Sequence, residues 1–445
     1  MLRWLQRVSK SIPFALPVLL FSAFLYGLHE PTANTMPSTT SVEDVANELL
    51  AEHGLRLQNI TTIQSLWAGY GQICRVTATA DASRSVSADM VHSTKAEEIH
   101  PYILKLITPP PTRADDEGHT RKILSYQVEQ YFYSHLASQL PSSIPVAKCL
   151  GSVNRHHADG TSTTAMMLSD LKQHFPIAGE KRNVLSPTQV HAALDWLSEF
   201  HGFWWSRVND IEPSTLVLPP LEEVQHDDQD ANQKSVWLNG GYTYLATRMQ
   251  EYENLASDGD SEWSSALTGA FGSTNKSIAE TVATFLASTV SGSTPIQKYQ
   301  TLIHGDVKSE NLFTSRSGEE VAFYDFQYTG IGLGVCDLAK LFTCSVPLSM
   351  LVDERSIPHE LSMQQGEEAL LERYWLKLKN TGQHEYEWET FVLHWETALV
   401  DWLRFQASWG SWGHTEWLEA RARSILKDIR WKKAMISSMT EVGEM

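Results

Sequence analysis

The chain has 445 residues, room for two or three domain-sized units, and with 42% hydrophobic residues it can bury a large core. Its formal charge of −18 argues against a nucleic-acid partner, because phosphate backbones call for a basic surface. Cys74, Cys149, Cys336 and Cys344 show no Cys-x-x-Cys spacing, so they indicate neither a zinc site nor a disulfide framework and read as buried reduced thiols.

At the amino terminus Arg3, Arg7 and Lys10 precede an apolar run over 12–28, and no acidic residue appears before Glu30. Basic residues followed by a short greasy segment read as a targeting leader or signal anchor over 1–30. The run is shorter than the roughly 20 residues of a spanning helix, and Pro13 and Pro17 interrupt it. If it spans, the positive-inside rule leaves the amino terminus in the cytosol. If it is an import leader, the mature protein resides in an organelle, and a buried core helix is the third reading. Membrane association through 12–28, organellar import and a cytoplasmic location therefore all stay open. Residues 31–40 read as a flexible linker.

Thr40 with Glu43 forms a capping-box pattern, opening a helix that Gly54 can close. Strands are expected over 60–66, 73–80, 102–107, 145–153 and 164–168, with a helix over 121–140 between them. From Pro187 the pattern turns mainly helical. The stretches 81–100 and 222–234 read as solvated loops. Gly69-Tyr70-Gly71-Gln72 lies between two expected strands, where Gly69 and Gly71 would let backbone amides approach phosphate oxygens. A plain hairpin turn is the competing reading.

Lys105 shares a strand face with Ile103 and Ile107. A lysine there needs a counter-charge, unless the strand is an edge from which the side chain snorkels to water. Glu129 is the only acidic residue between Gly118 and Ala158. The stretch 166–171, Met-Met-Leu-Ser-Asp-Leu, reads either as a hinge beneath a nucleotide base or as plain core. Trp388, Trp395, Trp402 and Trp409 recur every seven residues along one slowly drifting helix face. Core packing is the first reading of that row. The second is an aromatic wall for a flat or quaternary-ammonium substrate.

The chemistry concentrates in 304–311, His-Gly-Asp-Val-Lys-Ser-Glu-Asn, followed by Asp325 at the end of an apolar run. Asp306 and Asn311 sit five positions apart on one short loop, and a second aspartate follows nineteen residues after the first. This is a phosphoryl-transfer arrangement: one carboxylate can take a proton from an attacking hydroxyl, while the amide and the second carboxylate offer hard oxygens to magnesium.

His304-Gly305-Asp306 with Asn311, then Asp325-Phe326-Gln327 and Asp337-Leu338-Ala339, resembles the catalytic core of the aminoglycoside phosphotransferase and choline kinase-like superfamily, nearest in pattern to ecdysteroid kinase-like proteins. The resemblance implies an α+β, protein-kinase-like fold of two lobes. A small β-rich lobe would occupy 41–168 and a larger helical lobe 169–436, with a tail over 437–445. It implies ATP and magnesium as cofactors and a small-molecule acceptor: an amino-alcohol, a steroid-like alcohol, a sugar or an aminoglycoside-like compound. In its terms Asp306 handles the acceptor proton and Lys308 neutralises the moving phosphoryl group. Asn311 and Asp325 hold the metal, Gly69, Gly71 and Lys105 hold the nucleotide, and Glu129 pairs with Lys105. His304 and Asp337 shape the loop. Lys308 keeps a protein-kinase reading in play, although Asp-Phe-Gln replaces Asp-Phe-Gly and no Ala-Pro-Glu segment follows. A non-catalytic nucleotide-binding scaffold is the rival from another class. Oligomeric state is not legible.

Overall fold

The computed structural model describes residues 41–81, 98–110, 116–157, 161–225, 233–272, 275–287, 297–353, 356–382 and 385–443. The expected leader with its 12–28 segment, the 31–40 linker, Thr40 of the capping box and most of the 81–100 loop lie outside them. Among the described residues no helix is long and apolar enough to cross a membrane.

Helix α1 (Val42–Ala51) buries Val45, Ala46, Leu49 and Leu50, a one-sided stripe at helical spacing. Gly54, at φ 65°, turns the chain out of the helix and directly into β1 (Leu55–Ser65). That strand starts before the expected 60, because Leu55 and Leu57 pack beside Ile60 against the α1 cluster. There follow β2 (Gly71–Ala80), β3 (His100–Ile107), α2 (Glu117–Tyr131), β4 (Cys149–His156) and β5 (Ser162–Ser169). All neighbours in this sheet pair antiparallel, in the order β1-β2-β3-β5-β4. β4 starts later than the expected 145: the Pro145 carbonyl accepts instead from Trp196 Nε1 in the helical half, at 3.1 Å.

The helical half begins with the short β6 (Ile177–Ala178) and α3 (Pro187–Trp205). Ser186 and Gln189 close a reciprocal capping box on α3, with Pro187 at its first position. Then come α4 (Pro220–Glu223), α5 (Met249–Ser257), α6 (Glu262–Thr268) and α7 (Ile278–Leu286). Four short strands carry the loops of interest: β7 (Thr301–Ile303), β8 (Leu312–Thr314), β9 (Val321–Phe323) and β10 (Gly330–Gly332). The chain ends in α8 (Gly334–Ser345), α9 (Gln365–Asn380), α10 (Trp388–Trp409), α11 (Thr415–Lys427) and α12 (Ile429–Gly443). This is the expected α+β arrangement of an antiparallel sheet followed by a helical body.

One apolar cluster runs from the inner side of the sheet through α3, α8 and α10. Phe326 sits fully buried inside it, stacked on Phe132 at 3.8 Å between ring centres and 13° between planes. Phe132 directly follows α2, so the segment after β9 is tied to the helix that packs on the sheet.

Candidate active site

Strands β8 and β9 pair with Leu312 opposite Phe323, and Tyr324 N donates to Asn311 O at 3.0 Å. Asn311 and Asp325 therefore leave the same end of one hairpin. β7 delivers the other arm of the loop, with β10 hydrogen-bonded beside it. Gly305 adopts φ 81°, and a Cβ there would run into the Tyr328 carbonyl, so no larger residue fits this bend.

Three groups brace the loop. The carboxylate of Asp337, in the first turn of α8, accepts from His304 N and Gly305 N, both at 2.8 Å. It also accepts from His201 Nε2 of α3 at 3.1 Å. Asp306 N donates to His304 Nδ1 at 3.2 Å, which makes Nδ1 an acceptor and leaves Nε2–H to donate to Tyr324 O at 3.0 Å. Burial lowers the His304 imidazole against the opposing pull of Asp337, so the ring is neutral. A buried neutral ring with both nitrogens committed is a structural member of the loop.

Asp306 is itself buried and closely held. Asn311 Nδ2 donates to its Oδ2 at 2.9 Å and to its backbone carbonyl at 2.9 Å. Lys308 Nζ lies 3.2 Å from Oδ2 and 2.9 Å from Glu310 Oε1. Lys340 Nζ contacts Oδ1. Lys340 was not singled out from the sequence. It lies three positions after Asp337, on the same helix face, and that spacing was the available signal.

Across the cleft, β3 is the central strand, so the edge reading of Lys105 does not hold. Its Nζ is buried, 2.6 Å from Glu129 Oε2 and 3.1 Å from Asp325 Oδ1. Burial alone would lower this ammonium, but the carboxylates of Asp325 and Glu129 outweigh it and keep it charged. Burial pushes Glu129 up to about 7 against the pull of Lys105. Asp325 moves the other way: Lys105 overcomes burial and holds it below its usual range. Asp325 sits at φ 68°, in the left-handed region that aspartate tolerates better than most residues. That turn sends its carboxylate to Lys105 while Phe326 enters the core. Gln327 Nε2 donates to Asp325 Oδ1 at 2.8 Å, and its Oε1 accepts from Ser125 of α2 at 3.2 Å. The glutamine thus links this aspartate to α2, a link the sequence reading did not see.

Gly69 and Gly71 both have positive φ, and a Cβ on Gly71 would strike the Leu106 carbonyl of β3. The tyrosine between them turns inward: Tyr70 is buried and its hydroxyl lies 2.5 Å from His119 Nδ1 on α2. Lys122 Nζ stands 5.2 Å from the Tyr70 ring centre. Met166 and Met167 of the 166–171 stretch are fully buried.

The tryptophan row divides. Trp395 is core, donating from Nε1 to Glu367 Oε1 at 2.8 Å. Trp402 lines a cavity of about 40 Å³ together with Lys340, Gly305, Tyr244 and Asp401, whereas Trp409 is about half exposed.

Among the described residues no group of three His, Cys, Asp or Glu side chains could hold a metal by itself. The donors that suit magnesium are fewer and hard. Asn311 spends its amide nitrogen on Asp306, which leaves Oδ1, and Asp325 commits Oδ1 to Lys105 and Gln327, which leaves Oδ2. Magnesium commonly takes one or two protein oxygens and completes its shell with phosphate and water, so this donor set fits.

The sequence pattern of the ecdysteroid kinase-like family matches residues 72–357, and no curated protein matches significantly. Among solved structures the chain is similar to an ethanolamine kinase from Plasmodium vivax, at 12% identity and a TM-score of 0.37 over 90% of this chain and 93% of that one. It is similar to a choline kinase from Streptococcus pneumoniae at 13% identity and 0.36, covering 89% and 99%. A macrolide 2'-phosphotransferase from Brachybacterium faecium gives 11% identity and 0.36, covering 89% and 97%. Overlaps this loose assign nothing to individual residues or substrates. The family match spans most of the chain and both halves of the cleft, from β2 through the 304–311 loop to beyond α8. The chain belongs to the ecdysteroid kinase-like family and is a small-molecule kinase.

Proposed function

We propose that this kinase moves the γ-phosphoryl group of ATP, in the presence of magnesium, to a hydroxyl of a small organic molecule. The observation that carries the reading is the Lys105 ammonium held between Glu129 and Asp325, opposite a loop that presents Asp306 and Asn311. A buried lysine fixed by one carboxylate beside a second carboxylate is suited to gripping nucleotide phosphates next to a divalent ion.

In the transfer the acceptor O–H bond breaks, an O–Pγ bond forms, and the bond from Pγ to the bridging oxygen of ADP breaks. Asp306 orients the acceptor hydroxyl and takes its proton late. Lys308 stands beside Asp306 to offset charge on the moving group. Asn311 Oδ1 and Asp325 would hold magnesium, which when bound neutralises phosphate charge and orients the nucleotide. Lys105 positions the phosphates, and Gly69 and Gly71 keep the turn above them free of side chains. His304 and Asp337 hold the loop in shape. A peptide acceptor is disfavoured, because the chain passes from Asp325 into β10 at Gly330 and α8 at Gly334 with little segment left to bind one.

The test is a screen of a metabolite pool with the full-length chain and γ-labelled ATP. A new labelled small molecule that appears with the parent and not with Asp306→Asn supports the reading. Label that accumulates equally with both overturns it.

A further inference from the structure

The Lys340 ammonium lies 4.8 Å from the ring centre of Tyr242 and 5.4 Å from that of Trp402, while contacting Asp306 Oδ1. Aromatic faces beside a carboxylate are the kind of site that recognises a quaternary ammonium group. Here that site already contains a cation belonging to the chain. Adjacent faces are occupied as well: the Arg248 guanidinium sits 4.0 Å from the Tyr242 ring centre and 5.3 Å from that of Phe405.

The Lys340 ammonium stands between the Tyr242 and Trp402 faces and Asp306, the place a trimethylammonium head would need. Two of the carboxylates there already have cationic partners of the chain's own. Asp401 in the cavity wall accepts from Arg404 Nε at 2.9 Å and Nη2 at 2.8 Å. Lys308 already faces the other oxygen of Asp306. Two cations this close repel each other.

We propose that Lys340 sets the charge class of the acceptor: its ammonium fills the aromatic cage beside Asp306, so the site admits alcohols without a positive charge and rejects quaternary-ammonium alcohols. This deepens the phosphotransferase reading and rests on it for the location of the acceptor. Of the acceptor classes that the motif resemblance allows, quaternary amino-alcohols drop out.

Choline and 3,3-dimethylbutan-1-ol share a shape and differ by a charged nitrogen in place of carbon, so they isolate the effect. Binding of each to the full-length chain is measured by calorimetry, and transfer from γ-labelled ATP is followed in parallel. The parent is expected to bind the uncharged isostere at least about tenfold more tightly than choline. Lys340→Met should raise choline affinity at least about tenfold, and Lys340→Arg should keep the rejection. Choline binding the parent as tightly as its isostere overturns the proposal, and so does a folded Lys340→Met chain that gains no choline affinity. Should Lys340→Met fail to fold, the parent and Lys340→Arg comparisons decide. Absence of transfer to any alcohol counts against the kinase reading alone, since the binding results judge Lys340 independently.

Discussion

Asp306 and Asp325 are both aspartates in one cleft, and their surroundings differ. Asp306 is ringed by Asn311, Lys308 and Lys340, whereas Asp325 is shared between Lys105 and Gln327. Replacing Asp306 by asparagine keeps its volume and removes its capacity to take a proton. Phosphoryl transfer should fall on the order of 10²–10⁴-fold while binding of Mg·ATP measured by calorimetry changes little. Asp325→Asn should behave in the opposite way. Asparagine tolerates the left-handed backbone at φ 68°, so the fold survives. Losing the charge should weaken Mg·ATP binding at least about tenfold, with a smaller effect on ATP without metal. Equal losses with and without magnesium would remove Asp325 from the metal. Burial and the nearby Arg248 guanidinium pull Lys340 down, while the Asp306 carboxylate that it contacts favours the charged ammonium.

At the scale of elements, α2 and α8 hold the cleft together from opposite sides. α8 braces the 304–311 loop through Asp337 and reaches Asp306 through Lys340, one helical turn apart. α2 supplies Glu129 to Lys105 and Ser125 to Gln327, and Phe132 just beyond it receives Phe326. The Asp325-Phe326-Gln327 segment is thus tied to α2 directly at Gln327, through the ring just beyond the helix at Phe326, and by way of Lys105 at Asp325. Phe326→Ala would leave a cavity at that joint. Urea unfolding should show a loss of about 3–5 kcal/mol, the cost typical of a buried phenylalanine. Nucleotide affinity should fall with it, because the aspartate one residue earlier loses its anchor. A stability loss below about 1 kcal/mol would mean that the ring does not tie the segment to α2.

For the whole molecule, acid should be more damaging than the carboxylate pairs alone would make it. His394 on α10 is buried, with Nδ1 2.7 Å from the Tyr386 hydroxyl, and burial holds its imidazole down to about 3. The unfolded chain binds this proton near pH 6.5 and the folded chain does not, so stability is lost as pH falls from that value toward 3. The cost from this one ring is about 2 kcal/mol at pH 5 and small at pH 7. His304 is shifted in the same direction. Urea midpoints at pH 7 and pH 5 should therefore separate more for the parent than for His394→Gln, which keeps a partner for Tyr386. An identical pH response in the two chains would show that His394 is not the sensor.

Much of the site could be read before folding, for a physical reason. The loop 304–311 and the 325–327 turn are short segments whose spacing along the chain almost dictates their spacing in space. Lys105 was legible through strand alternation, and its burial cost announced a partner. The tryptophan row was legible only as a face: its period set where the rings point, while α9, the cavity and solvent divided Trp395, Trp402 and Trp409 among three environments. Lys340 and the link from Gln327 to Ser125 were not legible because the partners, Asp306 and Ser125, lie 34 and 202 residues away. β1 began early because its first leucines pack on α1, a tertiary gain that local pattern does not register. By itself, then, the sequence determined the family, the two-part α+β architecture and which side chains are candidates for the chemistry, since each is encoded in local spacing and period. Only the tertiary structure decided that a lysine of the chain's own occupies the aromatic cage beside Asp306, because that depends on how α8, α10 and the 242 segment pack, and packing is a contest among distant residues.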